Sequence, residues 1–192
     1  MITNEGKSVL ADHLIMLLSK HYLEEKKGAI IFDVKCSNQL PILIENSGGE
    51  AIMEKTGHFN IKRAIKKHDA VLGGEMSGHI FINYDWYGFD DAVYTAAILA
   101  KVISDTGQPA SNVIEQFPKT FATPELNLDV DDVKKFKMVE RFKEQMQFPD
   151  AEFNTIDGVR VSIGSSWGLM RASNTSPKLV FRFEAATEED LK

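Results

Sequence analysis

Between the turn "KKG" and the polar string "KCSN" stands "AIIFDV", residues 29–34, a short, nearly continuous apolar run. It is too short for a helix and does not alternate as a half-exposed strand does, so it reads as a buried, parallel strand. Its surroundings repeat the theme. Residues 10–27 place Leu10, Leu14, Leu17, Leu18 and Tyr22 on one helical face, and "KKG" is expected to close that helix with cations and a left-handed glycine. After the strand, Ser37 is placed to cap a helix over "NQLPILIEN". "EAIMEKT" reads as a strand, "HFNIKRAIKKHD" as a helix, and "AVLGGEM" as a strand running into a glycine-rich loop. "HIFINYDW" returns, and "FDDAVYTAAILAKVISDTG" is a capped helix stopped at Gly107. Strand and helix in alternation predict an open α/β sheet, whose ligands collect beyond the carboxyl ends of its strands. Both "VKCSN" and "GGEMSGH" occupy such ends.

Past Gly107 the pattern changes. "QPASNVIEQFPKTFATPE" reads as a connecting segment with one short helix. A strand "LNLDV", a charged helix over residues 131–147 and two hairpins, "NTIDGVRVSIG" and "SWGLMRASNTSPKLVFRFEA", follow. The alternation in "KLVFRFEA" predicts a half-exposed strand. The expected architecture is an α/β domain over 1–117 followed by a smaller α+β domain over 118–192. The closing "ATEEDLK" carries Thr187 as a helix cap and acids in a first turn, which predicts a helix that is only begun.

Bulk composition removes several function classes. With a net charge of −6 and pI near 5.4, the chain offers no general footprint for nucleic acid or an anionic membrane. Cys36 is the only cysteine, so neither an intrachain disulfide nor a thiolate metal cluster can form. No apolar run reaches bilayer length and no signal-peptide pattern opens the chain, so a cytoplasmic setting is expected.

Two stretches carry chemistry. "RASNTSP", residues 171–177, places a guanidinium, hydroxyls, an amide and backbone N–H groups before a proline, which suits a phosphate dianion. Its other reading is a polar hairpin turn with Asn174 in the left-handed conformation. In "GGEMSGH", residues 73–79, the carboxylate of Glu75 can accept from adjacent sugar hydroxyls, Ser77 adds another hydroxyl, and His79 can donate to an anion or move a proton. Its other reading is a glycine-rich turn with solvated tips. Lys35 stands at a strand end as a ligand or a surface lysine, and His58 as a ligand or a helix cap. His13, His21 and His68 have helix-surface spacing and receive no role.

Taken together, "DVKC" (33–36), "KTGH" (55–58), "GEMSGH" (74–79), "YGFDD", "ATPE", "DGVRV" and "WGLMRASNTSP" resemble the α-D-phosphohexomutases, in their phosphomannomutase/phosphoglucomutase branch. The resemblance runs through nearly the whole chain and implies the third and fourth domains of such an enzyme. It implies that Glu75 and Ser77 hold sugar hydroxyls, that His79 lies near the reacting end, and that Lys35 and His58 add polar contacts. Arg171, Ser173, Asn174 and Thr175 would grip the phosphate that is not transferred. The implied reaction interconverts a hexose 1-phosphate and 6-phosphate, of mannose or glucose, through a bisphosphorylated sugar. The phosphoglucosamine branch carries glutamine where Met76 stands. One departure is His13-Leu14, where the family pattern has an arginine before the leucine.

The family's phosphoserine loop ("TASHNP"-like) and magnesium loop ("DGDGDR"-like) do not occur in these 192 residues. The resemblance therefore implies a C-terminal half that recognises substrate, is inactive alone, holds no cofactor itself, and has as partner the N-terminal domains that bring the serine and Mg2+. Asp129, Asp131 and Asp132 open a helix and are expected to hold no metal. The alternative is a stand-alone, non-catalytic phosphosugar-binding or regulatory module.

Overall fold

The computed structural model describes residues 1–192 and divides into two compact units, Met1–Pro118 and Lys119–Lys192. The first unit runs α1 (Ala11–Glu25), β1 (Ala29–Asp33), α2 (Gln39–Asn46), β2 (Glu50–Glu54), α3 (His58–His68), β3 (Leu72–Gly74), β4 (Ile80–Ile82), α4 (Ala92–Asp105) and α5 (Ala110–Glu115). Its sheet has the order β2-β1-β3-β4, with β1 parallel to both β2 and β3, and β4 antiparallel to β3.

All five residues of β1 are buried, as an unbroken apolar run requires of a strand covered on both faces. Ile30 and Phe32 pack with Leu14, Leu18, Leu40 and Ile44, whereas Ala29 and Ile31 pack with Ile61, Ala64 and Ile65 of α3. The first unit is thus an α/β layer with helices on either side of one sheet. Because β1, β2 and β3 are parallel, their carboxyl ends share one edge, and three loops leave from it.

Two glycines of "GGEMSGH" belong to the sheet and not to the loop. Gly73 and Gly74 are buried in β3. A Cβ on Gly73 would lie 2.6 Å from Ile65 Cδ1 of α3, and one on Gly74 would lie 2.5 Å from Ile15 Cδ1 of α1. Each glycine lets one helix approach the strand on its own face. Only Gly78 serves the loop, with φ +100° and open space where a Cβ would be.

Several boundaries differ from the sequence reading. Leu10 is the exposed residue before α1 and lies off its buried face. That helix ends on Lys26 in extended conformation, φ −141°, with its N–H bonded to Tyr22 O, so "KKG" supplies no left-handed cap. Gly28 is instead close to the β3 approach, where a Cβ would meet Val71 Cγ1 at 3.0 Å. At α2 the Ser37 hydroxyl accepts from Gln39 N at 3.1 Å, one position ahead of the helix's first turn. At α4 the Asp91 carboxylate accepts from Val93 N and Tyr94 N.

The second unit contains β5 (Phe121–Ala122), β6 (Leu126–Asp129), α6 (Lys134–Gln145), β7 (Glu152–Asn154), β8 (Val159–Ile163), β9 (Ser166–Ala172), β10 (Lys178–Ala185) and α7 (Glu188–Leu191). Its strands pair antiparallel in the order β5-β10-β9-β8-β7, with β6 also on β10, so this is a smaller α+β domain. Val139 of α6 packs on Val159, Ala172 and Leu179. Strand β10 is exposed only in part, and on its apolar side, with Phe183 40% exposed. It lies inside the sheet, and Arg182 and Glu184 are buried, with Glu184 accepting from Trp167 Nε1 at 2.9 Å. Aspartates 131 and 132 stand ahead of α6, where Asp131 accepts from Val133 N and Lys134 N. Thr187 caps α7 through Asp190 N, as its sequence position predicts.

Replacing Gly74 by alanine should lower stability by about 1–3 kcal/mol, because the added methyl displaces Ile15 in a close-packed layer. Alanine at Gly78 meets no atom but must adopt φ +100°, so it should cost about 1 kcal/mol. Chemical denaturation checks the order of the two, and equal stability of Gly74→Ala and the parent would contradict the packing account.

Candidate functional site

The first constellation lies at the carboxyl edge of the parallel strands. At its centre is Asp33, the last residue of β1, which is fully buried. One carboxylate oxygen, Oδ1, accepts from Met76 N at 3.0 Å and from Cys36 Sγ at 3.3 Å. The other, Oδ2, accepts from Thr56 Oγ1 at 3.0 Å and lies 3.8 Å from Lys35 Nζ. One carboxylate therefore ties together the loops that follow β1, β2 and β3. A buried charge is tolerated where donors surround it in this way.

The loop after β3 closes on itself, with Glu75 N bonded to His79 O and Gly78 N to Glu75 O, each at 2.9 Å. Glu75 is only 2% exposed. Its Oε2 accepts from Ser77 Oγ at 3.3 Å, while its Oε1 is buried with no hydrogen-bond partner. Leaving such an atom unsatisfied costs about 1–3 kcal/mol. Burial raises the Glu75 pKa above its ordinary value, the Asp33 carboxylate raises it further, and His79, His58 and Lys35 act against both. Met76 packs against the main core, as expected of a packing residue.

Histidines 58 and 79 meet at this edge. His58 is the first residue of α3, after Gly57 at φ +123°, and does not cap the helix with its side chain. Its ring lies edge-on to His79, centroids 4.1 Å apart. Nδ1 of His79 is 2.8 Å from Asp90 Oδ2, and Asp90 Oδ1 accepts from Ile80 N at 3.2 Å. Lys35 is 5% exposed and so is no surface lysine. The structure thus brings Lys35, His58, Glu75, Ser77 and His79 together. His13 Nδ1 lies 3.0 Å from Asp12 Oδ1, and Asp12 Oδ2 accepts from Ser37 N. A cavity of about 650 Å³ among α1, α2, α4 and α5 touches none of these site residues.

The second constellation lies between β9 and β10. Arg171, 5% exposed, donates from Nε to Asp157 Oδ2 at 2.9 Å. That pairing depends on Gly158, φ +82°, where a Cβ would fall 2.4 Å from Met170 O and 2.6 Å from Arg171 Cβ. The hydroxyl of Ser173 accepts from Thr175 N at 3.3 Å and from Ser176 N at 3.2 Å. Lys135 Nζ donates to Ser176 O at 2.8 Å from below, which fixes the loop base. Asn174 and Thr175 are exposed at the tip, and Asn174 does not adopt the left-handed conformation, because this Ser173 turn shapes the loop. The loop therefore presents a held guanidinium beside two exposed polar side chains.

Asp33, Asp90 and Asp157 have no role in the sequence reading. Asp33 had a visible signal, a charged residue inside a buried apolar run. Asp90 and Asp157 each act through a partner distant in sequence, which spacing does not show.

Residues 11–121 match the family described as "Phosphoglucomutase/phosphomannomutase, alpha/beta/alpha domain III", and residues 125–192 match its C-terminal domain. The whole chain is 48% identical to a phosphomannomutase/phosphoglucomutase of Pseudomonas putida and 44% identical to a phosphoglucomutase of Neisseria gonorrhoeae. It spans 42% of the length of each of these relatives. Among solved structures, a phosphoglucomutase/phosphomannomutase family protein from Burkholderia thailandensis superposes with a TM-score of 0.91 at 37% identity, over 99% of this chain and 40% of that one. The fold also recurs, at 10% identity and a TM-score of 0.69, in an N-acetylphosphoglucosamine mutase of Aspergillus fumigatus solved with GlcNAc-6P and magnesium, over 98% of this chain and 43% of that one. The chain belongs to the phosphoglucomutase/phosphomannomutase family.

The raised pKa of Glu75 has a defined sign. Between the ordinary value of 4.5 and the higher folded value, the native state holds more protons than the unfolded one. Stability therefore falls as pH rises through that window. Glu75→Gln removes this loss, so denaturation measured from about pH 4 to pH 8 should show the parent losing stability relative to the variant as pH rises. Parallel pH dependences would contradict it.

Proposed function

We propose that this chain is the substrate-recognition half of a phosphohexomutase that interconverts hexose 1-phosphate and 6-phosphate, of mannose or glucose, through a bisphosphorylated sugar. The observation that carries the reading is Glu75 Oε1, a buried acceptor without a donor beside an exposed Ser77 hydroxyl. A sugar ring supplies the missing donors as adjacent hydroxyls. Lys35 and His58 would add polar contacts on the same edge. With Nδ1 of His79 engaged by Asp90, Nε2 is the nitrogen that would donate to an anion or move a proton at the reacting end.

Arg171, Ser173, Asn174 and Thr175 would hold the phosphate that stays in place. Asp157 occupies the inner Nε of Arg171, so the outer edge of the planar guanidinium is the part left to form two parallel bonds to phosphate oxygens. A fixed phosphate clamp and a hydroxyl reader serve both orientations of the sugar, as a mutase requires. His79 is the one catalytic candidate among these residues.

The transfer step itself would come from N-terminal domains bearing the phosphoserine and magnesium loops, in a cytoplasmic enzyme. The residues of this chain do not fit a magnesium site at its aspartate cluster. Asp131 caps α6, Asp132 pairs with Lys135 at 2.6 Å, and Asp129 lies 3.9 Å from Lys178. No helix is long and apolar enough to cross a membrane.

Calorimetric titration of the chain with glucose 1-phosphate and mannose 1-phosphate tests the reading. Saturable binding is expected, weakened about tenfold or more in Arg171→Ala and also in the double variant Asn174→Ala/Thr175→Ala, whose positions are exposed and leave the fold intact. A coupled assay should find no turnover by the chain alone. Binding untouched in both variants would overturn the phosphate clamp, and turnover without added protein would overturn the division of labour.

A further inference from the structure

We propose that His58, His79 and Asp90 form a binding site for a divalent transition-metal ion of the zinc type. The three residues come from separate segments, the start of α3, the approach to β4 and the segment before α4. Their ligand atoms nevertheless all lie within 4.8 Å of one another. Asp90 Oδ2 is 2.8 Å from His79 Nδ1 and 3.7 Å from His58 Nε2. Tetrahedral zinc, with bonds of about 2.0–2.2 Å, places neighbouring ligand atoms about 3.3–3.5 Å apart. Shifts of under an ångström in half-exposed imidazoles bring the set to that geometry.

The surroundings are those of a supported ligand set. Asp90 Oδ1 is held by Ile80 N at 3.2 Å, and the Asp90 backbone bridges to Phe81, so its Oδ2 is fixed in direction. The His58 ring stands edge-on to the buried ring of Phe81, 5.4 Å between centroids at 90°. Hydrogen bonds and packing behind the ligands orient a metal site in this way. The glycines at positive φ beside the histidines, Gly57 and Gly78, set the loop directions that bring the imidazoles together.

The donor set selects the ion. Two imidazoles and one carboxylate suit zinc or its neighbours, whereas magnesium takes oxygen ligands and keeps its water. Three protein ligands leave at least one coordination position open to water or an anion. The site is reachable, since the His58, His79 and Asp90 side chains are 42%, 43% and 28% exposed. One consequence rests on the proposed function: zinc bound here would engage His79 and compete with a phosphosugar. The metal site itself does not depend on that reading.

Zinc chloride titrated into the chelator-stripped chain, in a buffer that does not bind metal, tests the proposal by calorimetry, with magnesium chloride in parallel. One saturable zinc site is expected, with no saturable magnesium binding. His58→Ala and Asp90→Asn should each weaken zinc about tenfold or more, and His68→Ala should not. Asp90→Asn keeps an oxygen for Ile80 N, and His58 is half-exposed, so both variants should keep the parent's melting temperature. Absence of a saturable zinc isotherm in the parent, or parent affinity in both variants, would overturn the site. Glucose 1-phosphate titrated into zinc-free protein reports on the sugar separately, because its failure leaves the zinc isotherm unchanged.

Discussion

The carboxylate of Asp33 is buried at the end of the central strand, and the polar edge of the first unit is organised around it. Its two oxygens hold a backbone N–H of one loop, a hydroxyl of a second and a thiol and an ammonium of a third. The three hydrogen bonds are short-ranged and directional and the ammonium adds an ion pair at 3.8 Å, so the loops are located relative to one another and not merely tethered. Lys35, Glu75 and His58 all lie within a few residues of an atom that Asp33 binds. Their convergence follows from one buried charge whose desolvation is offset by its donors.

The sheet beneath makes that arrangement available. Parallel strands put three loops on one edge, and the glycine pair in β3 lets α1 and α3 press onto the strand from opposite faces. In the second unit the same economy appears in different form. Gly158 allows Asp157 to reach Arg171, and a serine hydroxyl shapes the loop that carries Asn174 and Thr175. In both units a glycine without room for a methyl group and an aspartate at hydrogen-bonding distance set the direction of a cationic or polar side chain.

Much of the fold was legible in the residue pattern. The unbroken "AIIFDV" implied a strand covered on both faces, and β1 is that strand, while Thr187 announced the short α7. The motifs pointed to the family that residues 11–121 and 125–192 match. Legibility failed where tertiary context overrides local grammar. "KLVFRFEA" alternates, yet its polar residues Arg182 and Glu184 are the buried ones and Phe183 is exposed, because strands flank β10 on both sides and Trp167 donates to its glutamate. "GG" looks like a turn, yet it is packing surface. Of the polar edge, Glu75, Ser77 and His79 were visible in one short string, whereas Asp33 reaches Met76, Asp90 reaches His79 and Asp157 reaches Arg171, 43, 11 and 14 residues away. Spacing along a chain carries no trace of such pairings.

The dependence of the edge on Asp33 is open to a direct measurement, residue-resolved amide hydrogen exchange of the parent and Asp33→Ala. Loss of the shared acceptor should speed exchange at Met76 and across the loops at 34–38, 55–57 and 75–79, while Ile30, Ile31 and Phe32 inside β1 keep their protection. Unchanged exchange at Met76, or a uniform rise throughout the sheet, would contradict the claim that one carboxylate fixes the three loops.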